Sequence, residues 1–304
     1  MDYETALEVF FQPTPPGAPT PGPVAKGRPA RRLRDAYEPI AMHGVWSRRT
    51  YDALSALGLN FLTGYVWGRA SGMGEPSPGV VVSTFAVFEP GAITALYEEA
   101  RGKVSRAELV EARDRATIES LEAVLGGANA ADVAGVVSVL RRGIDAAEGT
   151  GRALFAGLAC QPWPASSVGQ LWRACDLIRE HRGDSHVDAC VTAGVGPVAM
   201  NILTELWLGM PLFSYSASRA WPEEVLQATA EELRAAGLME GDKLSAAGQS
   251  LREQIEEQTD AAQQSIVDAI GSDLEGVIQQ LNQWSAACVE AKAFPPDIYK
   301  RAAG

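Results

Sequence analysis

Periodicity is the feature that most narrows the fold. From Arg31 to about Ala293 apolar residues recur at helical spacing, segment after segment, with Gly and Pro at the breaks. Such a pattern builds layers of helices rather than a sheet. VVVSTFAVF, residues 80–88, is β-branched but runs straight into a helical period, and helix is the reading we favour. EGDK, residues 240–243, makes a tight turn between two helical segments and leaves room for a very short β-wing. The expected fold class is all-α, mainly helical, with that wing alone as sheet.

Local signals place the elements. Ser105 and Glu108 form a capping box that fixes a helix start, and Pro222 suits the first position of another helix. Residues 1–11 form a short amphipathic turn or helix with Leu7, Phe10 and Phe11 on one side. The prolines at 13, 15, 16, 19, 21, 23 and 29 lack donor N–H groups, so the stretch that holds them is expected to be extended or disordered. Either residues 1–30 are a solvated tail, or Leu7, Phe10 and Phe11 dock on the chain's own body or on another subunit. QPWPAS, residues 161–166, is the best internal boundary. The expected organisation is therefore a tail over 1–30, a helical domain over 31–160 and a second domain over 161–304.

The chain's 304 residues and 46% apolar content suffice for sizeable cores. Cys160, Cys175, Cys190 and Cys288 lie far apart without a CxxC pair, so they read as small buried hydrophobes in a reducing compartment. No secretory signal is visible, and the longest apolar run, around Ile202–Phe213, is interrupted by Glu205 and Pro211. A cytoplasmic protein with no membrane partner is expected. The net charge of −12 disfavours nucleic acid, because phosphate contacts need clustered Lys and Arg.

WPEEVLQATAEELRAAGLMEGDKLSAAGQSLREQIEEQTDAA, residues 221–262, resembles the end of a MarR-type winged helix-turn-helix. The parallels are a recognition helix ending in Leu233-Arg234-Ala235-Ala236-Gly237-Leu238, a shortened wing, and Leu244-Ser245-Ala246-Ala247-Gly248 opening a long helix. Residues 58–91, 171–195 and 255–262 are similar to an actinobacterial helix-turn-helix-related family, with REHRGDSH (179–186) the most specific piece. The resemblance covers about Ala30 to Pro296 and implies a winged-helix-like C-terminal domain. It implies no particular activity.

A recognition helix needs Arg, Lys, Asn or Gln facing base edges. Here it carries Glu223, Glu224, Glu231 and Glu232 against Arg234, and residues 221–268 hold three basic and eleven acidic side chains, a net of −8. The basic cluster Lys26–Arg34 is expected to lie on the tail. A degenerate, non-DNA-binding winged helix follows.

Glu180, His181, Arg182, Asp184 and His186 crowd five ionisable side chains into seven residues. Gly183 is expected to break a helix, and Asp184 or Ser185 to cap the next one. Beside such a helix end, Arg182 would fork onto an anion or carboxylate while a histidine exchanges a proton. The alternative is a buried salt-bridge knot, with Arg182 on Asp184 or Glu89. A metal held by His43, His181 and His186 with Asp184 has the wrong spacing for a zinc helix, and no metal is assigned. Tyr65, Trp67, Arg69, Phe85, Phe88 and Trp172 supply aromatic faces and a guanidinium for pocket walls, or simply for core.

These observations lead to a protein that binds or senses a small anionic molecule, expected as a homodimer through its long helices. Two alternatives stay open. One is an enzyme on an anionic substrate with His181 or His186 as base, Asp184 beside it and Arg182 as anchor. The other is a MarR-like regulator.

Overall fold

The structure, a computed structural model, describes residues 1–10 and 27–297. Most of the proline-rich stretch, with Phe11 and Lys26, lies outside those residues. Within them the chain is all-α apart from one hairpin.

Helix α1 (Tyr3–Phe10) is followed by α2 (Pro29–Ala41), α3 (His43–Trp46), α4 (Arg48–Ser55), α5 (Phe61–Ala70) and α6 (Pro78–Phe85). VVVSTFAVF is thus largely helix. Next come α7 (Pro90–Lys103), α8 (Arg106–Val124), α9 (Ala130–Asp145) and α10 (Ala153–Ala159). The Ser105–Glu108 capping box starts α8 as its sequence requires. The second half holds α11 (Ser167–Thr192), α12 (Pro197–Trp207), α13 (Glu223–Ala235), strands β1 (Met239–Glu240) and β2 (Lys243–Leu244), then α14 (Ala246–Ala261), α15 (Gln264–Ile270) and α16 (Leu274–Glu290). The strands pair antiparallel, Met239 with Leu244 and Glu240 with Lys243.

Helix α11 is the pillar. At 1.5 Å per residue its 26 residues run roughly 39 Å. It packs against α2, α9, α10 and α14, so it buries residues on every side. The largest apolar cluster runs from Leu33 to Cys288 and includes Leu121, Leu140, Leu171, Ile178, Ile278 and Leu281. It crosses the break at residues 161–166 that separates α10 from α11.

Four local expectations are corrected. Gly183 does not break the helix: α11 continues through it to Thr192, because packing on both sides outweighs one poor helix former. Asp184 caps a different helix, accepting the Phe155 N–H of α10 at 3.0 Å, while the Ser185 hydroxyl donates to the His181 carbonyl at 2.7 Å. The long helix expected after the wing is broken into α14 and α15. Gln263 at the break turns inward, its amide meeting His181 Nδ1 at 3.1 Å and Ser185 Oγ at 3.3 Å. Pro222 stands just outside α13, in an extended conformation.

The N-terminal helix docks on the chain's own body. Tyr3 donates to the Trp46 carbonyl at 2.5 Å, and the rings of Phe10 and Trp46 lie 5.5 Å apart. Among the described residues no single helix is long and apolar enough to cross a membrane.

Candidate functional site

The basic residues of α2 do not trail on a tail. Arg31 and Arg34, on one face of α2, are buried where α2 packs on α11. Arg179, Arg182 and His186 recur at positions i, i+3 and i+7 along α11, the spacing that shares a helix face. Arg252, Glu256 and Asp260 follow at four-residue steps on α14. The three faces meet in a charged knot. Arg31 Nη1 donates to Glu256 at 3.0 Å, Arg252 Nη1 donates to the same carboxylate at 3.0 Å, and Arg182 donates to Glu256 and, at 3.2 Å, to Asp260. Arg182 therefore pairs with carboxylates of α14, not with Asp184 or Glu89. Three guanidiniums hold the Glu256 carboxyl well below its ordinary range despite its burial. Arg252 is lowered too, but for the opposite reason: burial lowers its affinity for a proton more than Glu256 restores it.

Beside the knot opens a cavity with about 1750 Å³ of empty space, its mouth included. Arg31, Arg34, Arg69, Arg179, Arg182, Arg219 and Arg252 line it, against two carboxylates, Glu38 and Glu256, among the described residues. Among the described residues, Asp35, Glu180 and Asp260 also pair with these arginines, so five carboxylates are set among seven guanidiniums. Arg219 has no carboxylate partner among the described residues; it lies 4.0 Å over the Tyr215 ring and 4.9 Å from the Phe88 ring. The Nε atoms of Arg182, Arg219 and Arg252 are buried without a hydrogen-bond acceptor. A buried donor in that state is costly, and native structures keep few of them.

Aromatic rings line the cavity as well, Phe85 under Arg69 and Phe88 under Arg219. Tyr65, Phe85 and Phe88 form a cluster with ring centres 6.0–6.4 Å apart, and Phe61 and Trp46 continue it. Arg69 sits 4.7 Å over Phe85 and is held by Glu180. The connection between α12 and α13, residues 208–222, supplies Met210, Ser214, Tyr215, Ser218 and Arg219. Glu205 fixes that connection by accepting the N–H groups of Phe213 at 2.7 Å, Tyr215 at 2.9 Å and Ser216 at 2.8 Å.

Of the residues expected from sequence, Arg182, Arg69, Tyr65, Phe85, Phe88 and His186 line this cavity. Trp172 lines a smaller neighbouring one. Trp67 is core, donating to the Val104 carbonyl at 3.1 Å, and His43 is buried on Ser120 at 2.9 Å; neither lines a cavity described here. His181 and Asp184 line neither cavity: His181 packs edge-on against Phe155 at 4.9 Å, and burial raises the Asp184 carboxyl to about 7. His186 meets Thr259 at 3.2 Å and Cys190 at 3.7 Å, and burial, then the Arg252 charge, push it down to about 3. A ring that poor at holding a proton is a weak general base. Among the described residues no group of three or more His, Cys, Asp or Glu is placed to hold a metal ion.

Sequence reasoning missed Arg31, Arg34, Arg179, Arg219, Arg252, Glu256 and Asp260. The spacing was available for two of the three helix faces; what no spacing could show is that α2 and α14, more than two hundred residues apart, meet on α11.

A family model described as a helix-turn-helix family matches residues 30–295. The chain belongs to that family. No curated protein and no solved structure matches it significantly. In this helix-turn-helix protein residues 208–222 join α12 to α13, and the hairpin follows α13. Gly237, at φ 72°, ends α13 with paired backbone bonds from Gly237 to Arg234 and from Leu238 to Leu233, each 2.9 Å. Glu223, Glu224, Glu231 and Glu232 of α13 are exposed, whereas Glu256 and Asp260 of α14 are buried in the arginine knot.

Proposed function

We propose that this helix-turn-helix protein binds an anionic small molecule with a flat or apolar body. The observation that carries the reading is the large cavity, which seven arginines line together with aromatic rings in a chain of net charge −12. Guanidinium forks suit carboxylate, sulfonate or phosphate groups, and orphaned Nε donors would find acceptors there. The ring wall would bury the apolar body. Because the α12–α13 connection forms part of the cavity, occupancy would set the position of α13.

The test is a titration of the full chain with 8-anilinonaphthalene-1-sulfonate, an aromatic anion, followed by fluorescence. Saturable binding to one site is expected, weakened about tenfold by Arg219→Met or Arg252→Leu, the scale of one charged hydrogen bond. Equal binding by wild type and both variants would sink the reading.

The family favours a second reading, a transcription regulator. The exposed carboxylates of α13 repel phosphate, so we place the DNA-binding role second. A duplex-shift assay at low salt decides: sequence-selective binding restores the regulator, and its absence supports a degenerate recognition surface.

A further inference from the structure

The smaller cavity adjoins the larger one, shares Phe61, Tyr65 and Arg69 with it, and has about 800 Å³ of empty space, its mouth included. Its walls are rings and small polar groups, among them Thr50, Tyr51, Phe61, Tyr65 and Trp172. Asp176, on α11, also lines it. Every other charged group there is engaged. Arg69 is paired with Glu180 at 2.7 Å and Arg113 with Asp114 at 2.6 Å. Just behind them Arg173 meets Asp114 at 3.3 Å, and Arg179 meets Glu38 and Glu180. Asp176 alone makes no hydrogen bond and no ion pair among the described residues. Asp176 is half-buried, so its carboxylate takes its hydrogen bonds from water, and a bound donor there would stand in for that water.

Charge decides what kind of donor fits. Arg69, Arg113, Arg173 and Arg179 are matched by Glu38, Asp114, Glu180 and Asp176, so the neighbourhood is already balanced. An added ammonium would leave it positive; a neutral O–H adds a hydrogen bond and no charge. We propose that the smaller cavity is a separate binding subsite for a neutral, ring-borne hydroxyl of the phenol class, which donates to the Asp176 carboxylate while its ring lies among Tyr51, Phe61, Tyr65 and Trp172. This site goes beyond the anion-binding reading and does not depend on it.

Burial and the nearby Glu180 raise the Asp176 carboxyl to about 6, opposed by Arg173, Arg113 and Arg179. Phenol binding should accordingly be strong at neutral pH and weaken as pH falls through about 6, when the acceptor takes up its own proton.

Saturation-transfer NMR on the full chain at neutral pH tests this with phenol, toluene and benzylamine. Phenol should bind saturably, with toluene and benzylamine each about tenfold weaker or worse. Asp176→Leu should remove the preference for phenol over toluene, while Arg219→Met leaves it unchanged. Should the leucine variant fail to fold, Asp176→Asn, checked by its melting curve, should still weaken phenol several-fold. Toluene binding as well as phenol, benzylamine binding better, or phenol binding unaffected by either Asp176 variant would overturn the assignment.

Discussion

Arg69 and Glu180, 111 positions apart, form a two-pronged pair: Nε lies 3.0 Å from Oε1 and Nη2 2.7 Å from Oε2. This pair joins α5 to the pillar α11, and its guanidinium lines both cavities. Burial alone would disfavour each charge; their mutual attraction holds the Glu180 carboxyl below its ordinary range and Arg69 well above its own. Removing Glu180 leaves Arg69 buried with the Tyr65 hydroxyl. Glu180→Leu should therefore lower stability by about 3–5 kcal/mol in urea unfolding, and Arg69→Met with Glu180→Leu should lose less than the two single losses added together.

Glu205 carries the loop between α12 and α13. It is fully buried, and three backbone N–H groups depend on it, one from Phe213 at φ 64°. Glu205→Ala should cost about 3 kcal/mol, the scale of orphaning several buried donors, and should speed hydrogen exchange at residues 213–216. Unchanged exchange there would show that the loop holds itself.

Glycine substitutions should split by site. A Cβ at Gly248 would sit 2.1 Å from the Leu238 carbonyl oxygen, a backbone atom fixed by the hairpin. Gly248→Ala should destabilise by about 1–3 kcal/mol. At Gly135, mid-helix in α9, a Cβ meets nothing within 4 Å. Gly135→Ala should stabilise by about 0.5–1 kcal/mol, both read from melting curves.

His43 should make stability depend on pH. Burial pushes its ring down to about 4 from an ordinary 6.5, so the unfolded chain binds the proton more readily than the folded one. Stability is complete above pH 6.5 and is withdrawn as pH falls to about 4, by up to about 3 kcal/mol. Asp176 and Asp184, whose carboxyls are raised, act with the opposite sign, so the measurement is a difference. Wild type should lose stability relative to His43→Gln over that window; parallel curves would contradict it.

What the sequence determined by itself was local. Helical periodicity, the Ser105–Glu108 box, the Gly237 stop and the EGDK turn depend on residues a few positions apart, and they produced the all-α chain with its hairpin. The acidic face of α13 was legible for the same reason. Only the tertiary structure decided which charges meet. REHRGDSH reads as a broken helix because Gly183 is a poor helix former, yet packing on α2, α10 and α14 carries α11 straight through it. Summing charge over residues 221–268 treats Glu256 and Asp260 as surface. Long-range contact instead buries both against arginines of α2 and α11, beside a cavity that further arginines line. Charge count is a property of composition; charge pairing is a property of distance, and distance is set by the fold.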